Sequence, residues 1–409
     1  MALLTSSIIA KEFMKEFKGY SKYAKVVDKQ YTDKFGEQSG DVSKGGTTIE
    51  VKTPQEVAVR TGRTASFVTP DEGKRSFSVD TMYGVDLKFT DVELQLSIDD
   101  FSGRFIKPAA AKLAAKVDQK IADEAYKAFP KAVGTAGTTP SSLKTFNLAR
   151  GKLVNALVPE SDSLYAFVNT DASAEMVEAL KGLLSPNKQI ADQYLNGYMG
   201  RAAGLEWIES THVPVHTVGP LGGTPLVKGA SQGITTGTAE TTSLLTDGWT
   251  SAAAARLKAG DVITITGVYD VDQLTKQTRS YLKQFTVTAD VSSDASGNAT
   301  VIVSPAIITA GAYQNVSAVP ADDAPIVVFG AANTVTAQNL VFTPKAITLA
   351  TVPLILPKGT DMAERVVSDG ISMRLVRDWS QSEAELTTRI DVFFGTKVMR
   401  PEWGVRVFG

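Results

Sequence analysis

Cysteine is absent from all 409 residues and histidine occurs only twice. No apolar run reaches the roughly eighteen residues needed to span a bilayer. The missing cysteine excludes disulfide frameworks, thiolate metal sites and cysteine nucleophiles together, and it fits a reducing compartment. The two histidines sit in Thr211-His212-Val213-Pro214-Val215-His216. Pro214 and its β-branched neighbours favour an extended segment there, which holds residues four apart at about 13 Å and prevents one metal from binding both. A Ser/His/Asp triad would have to use one of these two histidines. The glycine cluster Gly219-Pro220-Leu221-Gly222-Gly223-Thr224-Pro225 lacks the order of a dinucleotide loop and reads as a linker or domain junction. Asp290, Asp294 and Asn298 recur every fourth residue, which suits a hairpin turn rather than a calcium loop. No catalytic, cofactor-binding or metal residue is assigned, and an enzyme is not expected. A formal net charge of −2 argues against tight nucleic-acid binding. Lys11, Glu12, Lys15 and Glu16 fall where a signal peptide needs an uncharged core, so the chain is expected to stay in the cytoplasm.

What is present is patterned. Ile9, Phe13, Phe17 and Tyr20 stand at helical spacing with lysines mostly off that stripe, giving an amphipathic arm whose interleaved Glu12 and Glu16 favour a subunit contact over a membrane. Between residues 47 and 96 the period changes to two: Ile49 and Val51, then Val85, Leu87 and Phe89, alternate with polar residues. Pro70-Asp71-Glu72-Gly73-Lys74-Arg75 between them is turn chemistry, so the segment predicts an extended hairpin with a charged tip. Phe105, Ala109, Leu113, Val117, Ile121 and Ala125 then repeat every four residues, predicting a helix from Pro108 to Ala128, about 31 Å long. Asp99 and Asp100 ahead of it read as capping residues. A helix over 143–158, a strand over 164–169 and a helix over 172–181 follow. That α/β alternation resumes near Lys358, where Ala363, Val366 and Val367 precede strands at 373–377 and 389–394.

The stretch between is different: rich in Thr, Gly and Ala, and poor in charge. Ile263, Ile265, Phe285, Val287, Val301 and Val303 alternate with polar residues, which predicts a small antiparallel β-barrel. Residues 231–255 and 270–283 are expected to be long loops projecting from it.

Two runs carry a resemblance. Gly197-Tyr198-Met199-Gly200-Arg201-Ala202-Ala203-Gly204-Leu205-Glu206-Trp207-Ile208-Glu209-Ser210, continuing through Val213-Pro214-Val215-His216-Thr217-Val218-Gly219, resembles the signature run of tailed-bacteriophage major capsid proteins. Arg389-Ile390-Asp391-Val392-Phe393-Phe394-Gly395-Thr396-Lys397-Val398-Met399-Arg400-Pro401-Glu402 resembles the closing strands of that family. The insert after Gly219 is similar to the accessory barrel of the coat proteins of certain short-tailed phages. The resemblance implies an α+β Hong Kong 97-type fold. Its parts would be an N-terminal arm at 1–40, an extended hairpin loop at 41–97, and a spine helix with peripheral domain at 98–140. A central domain would follow at 141–216, interrupted by the inserted barrel at 217–343 and completed at 344–409.

The function implied is a major capsid protein. It would self-assemble into hexamers and pentamers of an icosahedral virion shell around packaged double-stranded DNA, held by loose non-specific contact, with assembly in the host cytoplasm. Partners implied are further copies of the chain, a separate scaffolding protein, a portal protein and a decoration protein, with no cofactor and no membrane. Carried onto this sequence, 69–76 is the loop tip, placing Asp71, Glu72, Lys74 and Arg75 against an adjacent subunit, while Glu240 and Asp247 in the insert reach between capsomers. The insert's mostly uncharged loop departs from the densely charged pattern expected there. The alternatives are an encapsulin-like compartment shell, a β-rich adhesin stacking glycans on Trp249, Tyr269 and Tyr281, and a hydrolase using His212 or His216.

Overall fold

The computed structural model describes residues 6–32, 35, 48–53, 63, 73–90, 102–180, 200–234, 237–380 and 385–409. The chain divides into two units. One comprises Met1–Glu50, Ser76–Ala122 and Ile347–Lys397; the other comprises Val51–Arg75, Asp123–Ala346 and Val398–Gly409.

In the first unit the arm is the helix Ser6–Tyr20. Ile9, Phe13 and Phe17 are buried as the spacing predicts, joined by Ala10 and Met14, but Tyr20 is 42% exposed. The stripe continues four residues beyond Phe17 to buried Ser21, whose amide closes on the Phe17 carbonyl, and Tyr20 is left on the outer side. A short helix, Tyr23–Val26, follows.

The predicted long helix is Lys107–Ala128, preceded by a π-helical turn at Ser102–Ile106. Ala109, Leu113, Val117, Ile121 and Ala125 are buried. Phe105 is only half-buried, because it lies in the π turn before the α register begins. Ala110, Ala114 and Ala122 are also fully buried, so the packed arc is wider than one stripe. Asp118 is buried in this arc and accepts hydrogen bonds from the amides of Lys22 (2.6 Å) and Ala24 (2.9 Å). Removing that carboxylate leaves two amide donors without their acceptor. Asp118→Ala is therefore expected to destabilise the arm by about 2 kcal/mol, read as faster hydrogen exchange at Lys22 and Ala24. Unchanged exchange there contradicts the capping role.

The same unit holds a sheet around the 14-residue strand Glu385–Val398, which pairs antiparallel with Ile371–Ser380 on one side and Thr81–Thr90 on the other. Ala363, Val366 and Val367, read from the sequence as part of an α/β alternation, lie instead in the strand Met362–Ser368. Asp369 (φ 51°) and Gly370 (φ 71°) form the two-residue turn joining it to Ile371–Ser380, and this Asp-Gly hairpin signal outweighs the helical spacing. Gly84 faces Asp391 across the sheet, where an added Cβ would come 2.6 Å from the Asp391 carboxylate. Asp391 is buried and held by Arg374 (2.6 Å) and Arg389 (2.7 Å).

Among its described residues the second unit contains two six-stranded sheets. One runs in the order Lys131–Val133, Gly404–Val407, Asn339–Phe342, Tyr165–Val168, Leu205–Glu209, Arg201–Ala202. Its strands are mixed: Lys131–Val133 lies parallel to Gly404–Val407, and Tyr165–Val168 parallel to Leu205–Glu209. The helix Leu143–Val154, N-capped by Ser142, turns Phe146, Ala149 and Leu153 into a core shared with Val341, Val405 and Trp207.

The other sheet is the insert, in the order Ile326–Val328, Val262–Val271, Thr278–Val287, Ala299–Ser304, Thr242–Trp249, Gly223–Val227. Its two edges meet through a bridge between Leu226 and Pro325, with Val227 N–H donating to the Ala324 carbonyl and Asp323 N–H to the Val227 carbonyl, both at 3.0 Å. Alternate residues of these strands, among them Ile263, Ile265, Phe285, Val287, Val301 and Val303, fill the insert's own core. The chain enters through Val215–Thr217 and leaves through Val335–Ala337, and these two segments pair antiparallel as a stalk.

The two long loops expected in the insert are largely strand. Thr242–Trp249 is a core strand burying Thr242, Leu244, Thr246 and Trp249, and 270–283 is a hairpin between Val262–Val271 and Thr278–Val287. Threonine supplied the inward positions that an apolar count misses; Thr246 satisfies its buried hydroxyl against the Ala299 carbonyl (2.9 Å). Gly223-Thr224-Pro225, read as linker, begins the first insert strand. Asp294 turns the chain as expected, accepting from the amides of Ser296 and Asn298 at 2.8 Å each.

Candidate functional site

Of the charged residues expected to meet a neighbouring subunit, Asp71 and Glu72 lie outside the described residues, while Lys74, Arg75, Glu240 and Asp247 lie within them. Arg75 and Glu240, 165 positions apart in the sequence, come together: Arg75 Nε is 3.6 Å from Glu240 Oε1, with the side chains 22% and 38% exposed. They line a cleft of about 250 Å³ together with Lys74, Tyr313, Arg400 and Glu402. Asp247 is not in a loop and does not join them. It sits on the strand Thr242–Trp249 opposite Leu226.

Behind the cleft lies a cluster of charges that sequence reading missed. Lys283, 8% exposed, places its ammonium 2.8 Å from Asp270 and 3.8 Å from Glu402. Arg279 lies 2.8 Å from Asp272 and 3.6 Å from Asp270. Gln273 donates its amide to Glu402 at 2.7 Å. Lys131 Nζ donates to the carbonyls of Glu402 (3.0 Å) and Lys152 (3.3 Å), and Lys152 Nζ to the Ala132 carbonyl (2.9 Å) and the Gln284 side chain (2.7 Å). Burial penalises the ammonium form and lowers both Lys131 and Lys152 to about 8, against the pull of Glu402 and Asp270 on the first and of Asp270 on the second. Burial would also lower Lys283, but Glu402 and Asp270 outweigh it and hold that group above its ordinary value. Burial would raise Glu402; Lys283 and Lys131 outweigh it and hold the carboxylate below its ordinary range. The cluster therefore ties insert strands 262–271 and 278–287 to the strand at Lys131–Val133 and the turn Pro401–Trp403.

A second joint is built on Arg406, 1% exposed, which donates to the carbonyls of Phe129 (2.9 Å) and Gly260 and to the Thr286 hydroxyl (3.0 Å). Beside it, His216 Nε2 is 2.8 Å from Asp261 Oδ1, both side chains buried. Asp261 also accepts from the amides of Lys258 (2.8 Å) and Gly219 (3.2 Å), so its carboxylate is occupied in fixing the stalk to the insert. His216 is thus a partner in that joint.

From the sequence no Gly-x-Ser-x-Gly elbow is expected, yet the run Gly229-Ala230-Ser231-Gln232-Gly233 has that spacing, and Ser231 has a positive φ of 63°. The context of a nucleophile elbow is missing, because the loop leads to bridged Ile234 and a strand where that chemistry needs a helix. Gln232 occupies the loop by bonding the backbone of Lys228 and Leu245. The adhesin candidates are scattered: Trp249 is in the insert core at 3% exposure, whereas Tyr269 and Tyr281 are 40% and 39% exposed.

The geometry is that of joints between segments of a chain, with no assembled set of reactive groups among the described residues. The family model described as "P22 coat protein - gene protein 5" matches residues 2–409. This chain belongs to the P22 coat protein family. It is a phage major capsid protein, a structural subunit that self-assembles into an icosahedral shell, and its place is the virion. No curated protein sequence matches this coat protein. Among solved structures it is similar to the Mycobacterium phage Che8 chain, at 14% identity over 94% of this chain and 90% of that one, with a TM-score of 0.45. It is similar to the cyanophage P-SCSP1u capsid chain at 12% identity over 89% and 83%, with a TM-score of 0.42. The CUS-3 coat protein I-domain matches 30% of this chain over 99% of its own length at 28% identity, with a TM-score of 0.18. The assignment rests on the family match, which also ranks the phage coat above an encapsulin-like shell. Among the described residues no helix is long and apolar enough to cross a membrane.

Proposed function

We propose that this coat protein forms the hexamers and pentamers of its shell on a separate scaffolding protein in the host cytoplasm, closes on a portal, encloses double-stranded DNA, and offers an outer surface to a decoration protein. Residues 1–40 serve as the arm, 41–97 as the extended loop, 98–140 as the spine and peripheral domain, 141–216 with 344–409 as the central domain, and 217–343 as an inserted barrel whose last strand, Asn339–Phe342, pairs with strands of the central domain. The observation that carries the reading is a coat-family match over residues 2–409, a range that includes the insert. In this reading Asp71, Glu72, Lys74 and Arg75 with Glu240 and Asp247 supply charged contacts between neighbouring subunits.

The Arg75–Glu240 pair supports a role in assembly better than one in folding. An ion pair this exposed adds under about 1 kcal/mol to one chain, and both side chains keep surface that the charges of a neighbouring subunit can reach. Arg75→Glu is expected to leave the unfolding midpoint nearly unchanged and to reduce closed shells several-fold, counted by electron microscopy and sedimentation of chain co-expressed with scaffolding protein. Arg75→Glu combined with Glu240→Arg should restore them. Full shell yield from Arg75→Glu alone removes the pair from the interface, and a wild-type chain that stays monomeric with scaffolding protein overturns the capsomer reading itself.

A further inference from the structure

The outer side of the helix Lys107–Ala128 is basic over its first four turns. Between residues 102 and 122 there are five basic side chains, Arg104, Lys107, Lys112, Lys116 and Lys120, and a single acid, Asp118. Asp118 points inward and is fully buried against the arm, so it neutralises nothing on the outer face. Arg104, Lys107, Lys112 and Lys116 are exposed. Lys107 lies 3.9 Å from Glu16, and Lys116 reaches only the neutral amide of Gln119, at 3.3 Å. Lys112 has no acidic partner among the described residues. Lys112 and Lys116 are one turn apart, about 6 Å along the axis. Like charges at this spacing repel and weaken a helix. The chain as a whole carries a net charge of −2, so this face departs from the average of the molecule. Lys112 and Lys116, which repel each other along the helix and have no acidic partner among the described residues, are complementary to an external polyanion.

We propose that Lys112 and Lys116, with Arg104, form the face by which this coat protein touches the phosphate backbone of duplex DNA; the proposal rests on the reading that the shell encloses DNA. The chemistry fits a weak, sequence-independent contact. Lysine meets phosphate as a point charge, and the exposed arc Pro108, Lys112, Lys116, Gln119 carries no aromatic side chain to stack on bases. Three phosphate contacts give a slope of log K against log salt of about −3, which vanishes as affinity at high salt.

The test uses the full chain and a fluorescent duplex of about 30 base pairs, with anisotropy followed across salt concentration. The wild type is expected to show the slope of about −3, and Lys112→Gln with Lys116→Gln a slope near −1, with affinity at low salt reduced at least tenfold. Both substitutions are on the exposed face, and matching circular-dichroism melts establish that the fold is kept. Equal slopes for the two proteins overturn the proposal. So does tighter binding of poly-glutamate than of duplex at the same salt, which assigns the face to an acidic protein segment. Shells viewed in parallel separate the two levels: equal slopes with normal shells sink the DNA face alone, whereas absence of wild-type shells sinks the reading beneath it.

Discussion

Arg406→Met is expected to destabilise the unit carrying the insert by about 4 kcal/mol. The side chain is 1% exposed and its guanidinium donates to three acceptors on three segments: the Phe129 carbonyl after the long helix, the Gly260 carbonyl at an insert turn, and the Thr286 hydroxyl on an insert strand. Methionine fills much of the volume but donates nothing, so three buried acceptors lose a charged donor, each worth roughly 1–2 kcal/mol. Burial lowers Arg406 to about 9, with Tyr126 and Asp261 pulling the other way, so the group is charged at neutral pH. Arg406→Lys keeps the charge but not the fork, and should recover at most one of the three bonds. Urea unfolding followed through the fluorescence of Trp207, Trp249 and Trp403 reads the effect. A midpoint within 1 kcal/mol of wild type means that the three segments are held together by apolar packing and not by this guanidinium.

Periodicity made the fold's frame legible where apolar residues carry it. The arm stripe Ile9, Phe13, Phe17, the long-helix stripe from Ala109 to Ala125 and the insert pairs Ile263/Ile265 and Phe285/Val287 all point into cores. The reading failed where polar residues do the packing. Thr242, Thr246 and Thr286 are buried, and a threonine-rich strand such as Thr242–Trp249 reads as loop when only aliphatic alternation is counted. It failed again at Val366 and Val367, where the two-residue Asp369-Gly370 turn converts a helical spacing into a hairpin.

The candidate site was less legible, for a physical reason. A charge in a strand looks the same on paper whether it is solvated or paired, and several of these pairings span more than one hundred residues of sequence. Lys131 reaches the Glu402 carbonyl and Arg406 reaches Gly260 across such distances. The available signals were single charges inside otherwise apolar strand runs: Arg406 in Gly-Val-Arg-Val-Phe and Lys283 in Tyr-Leu-Lys-Gln-Phe. A charge at an inward position of a strand is costly unless partnered, so each of these asks for a partner. The approach of Arg75 to Glu240 had no comparable signal, since both lie in stretches without period.

Glu402→Gln is expected to cost about 3 kcal/mol at pH 7, and its pH dependence distinguishes a charge effect from a packing effect. Glutamine matches glutamate in size and still bonds Gln273, so shape is conserved while Lys131 and Lys283 lose one of their two shared counter-charges, Asp270 being the other. The sign follows from the shifts. Lys131 and Lys152 have folded values near 8, below the 10.5 of the unfolded chain. Between those values the unfolded chain binds more protons, so wild-type stability rises with pH through this window, by about 2 kcal/mol per lysine after discounting their partial exposure. Lys283 is held above its ordinary value, so its contribution is present below 10.5 and is lost as pH rises past it. Glu402 is held below its ordinary value, so its contribution is present at neutral pH and is lost on acidification. The penalty of Glu402→Gln should therefore be greatest near pH 6–7, shrink above pH 8 as Lys131 gives up the proton that needed Glu402, and shrink again on acidification as the wild-type carboxylate itself takes up a proton. Urea midpoints of the two proteins between pH 4 and pH 10 decide the matter, and a penalty that stays constant across that range shows that charge pairing at Glu402 does not hold the insert to the strand at Lys131–Val133.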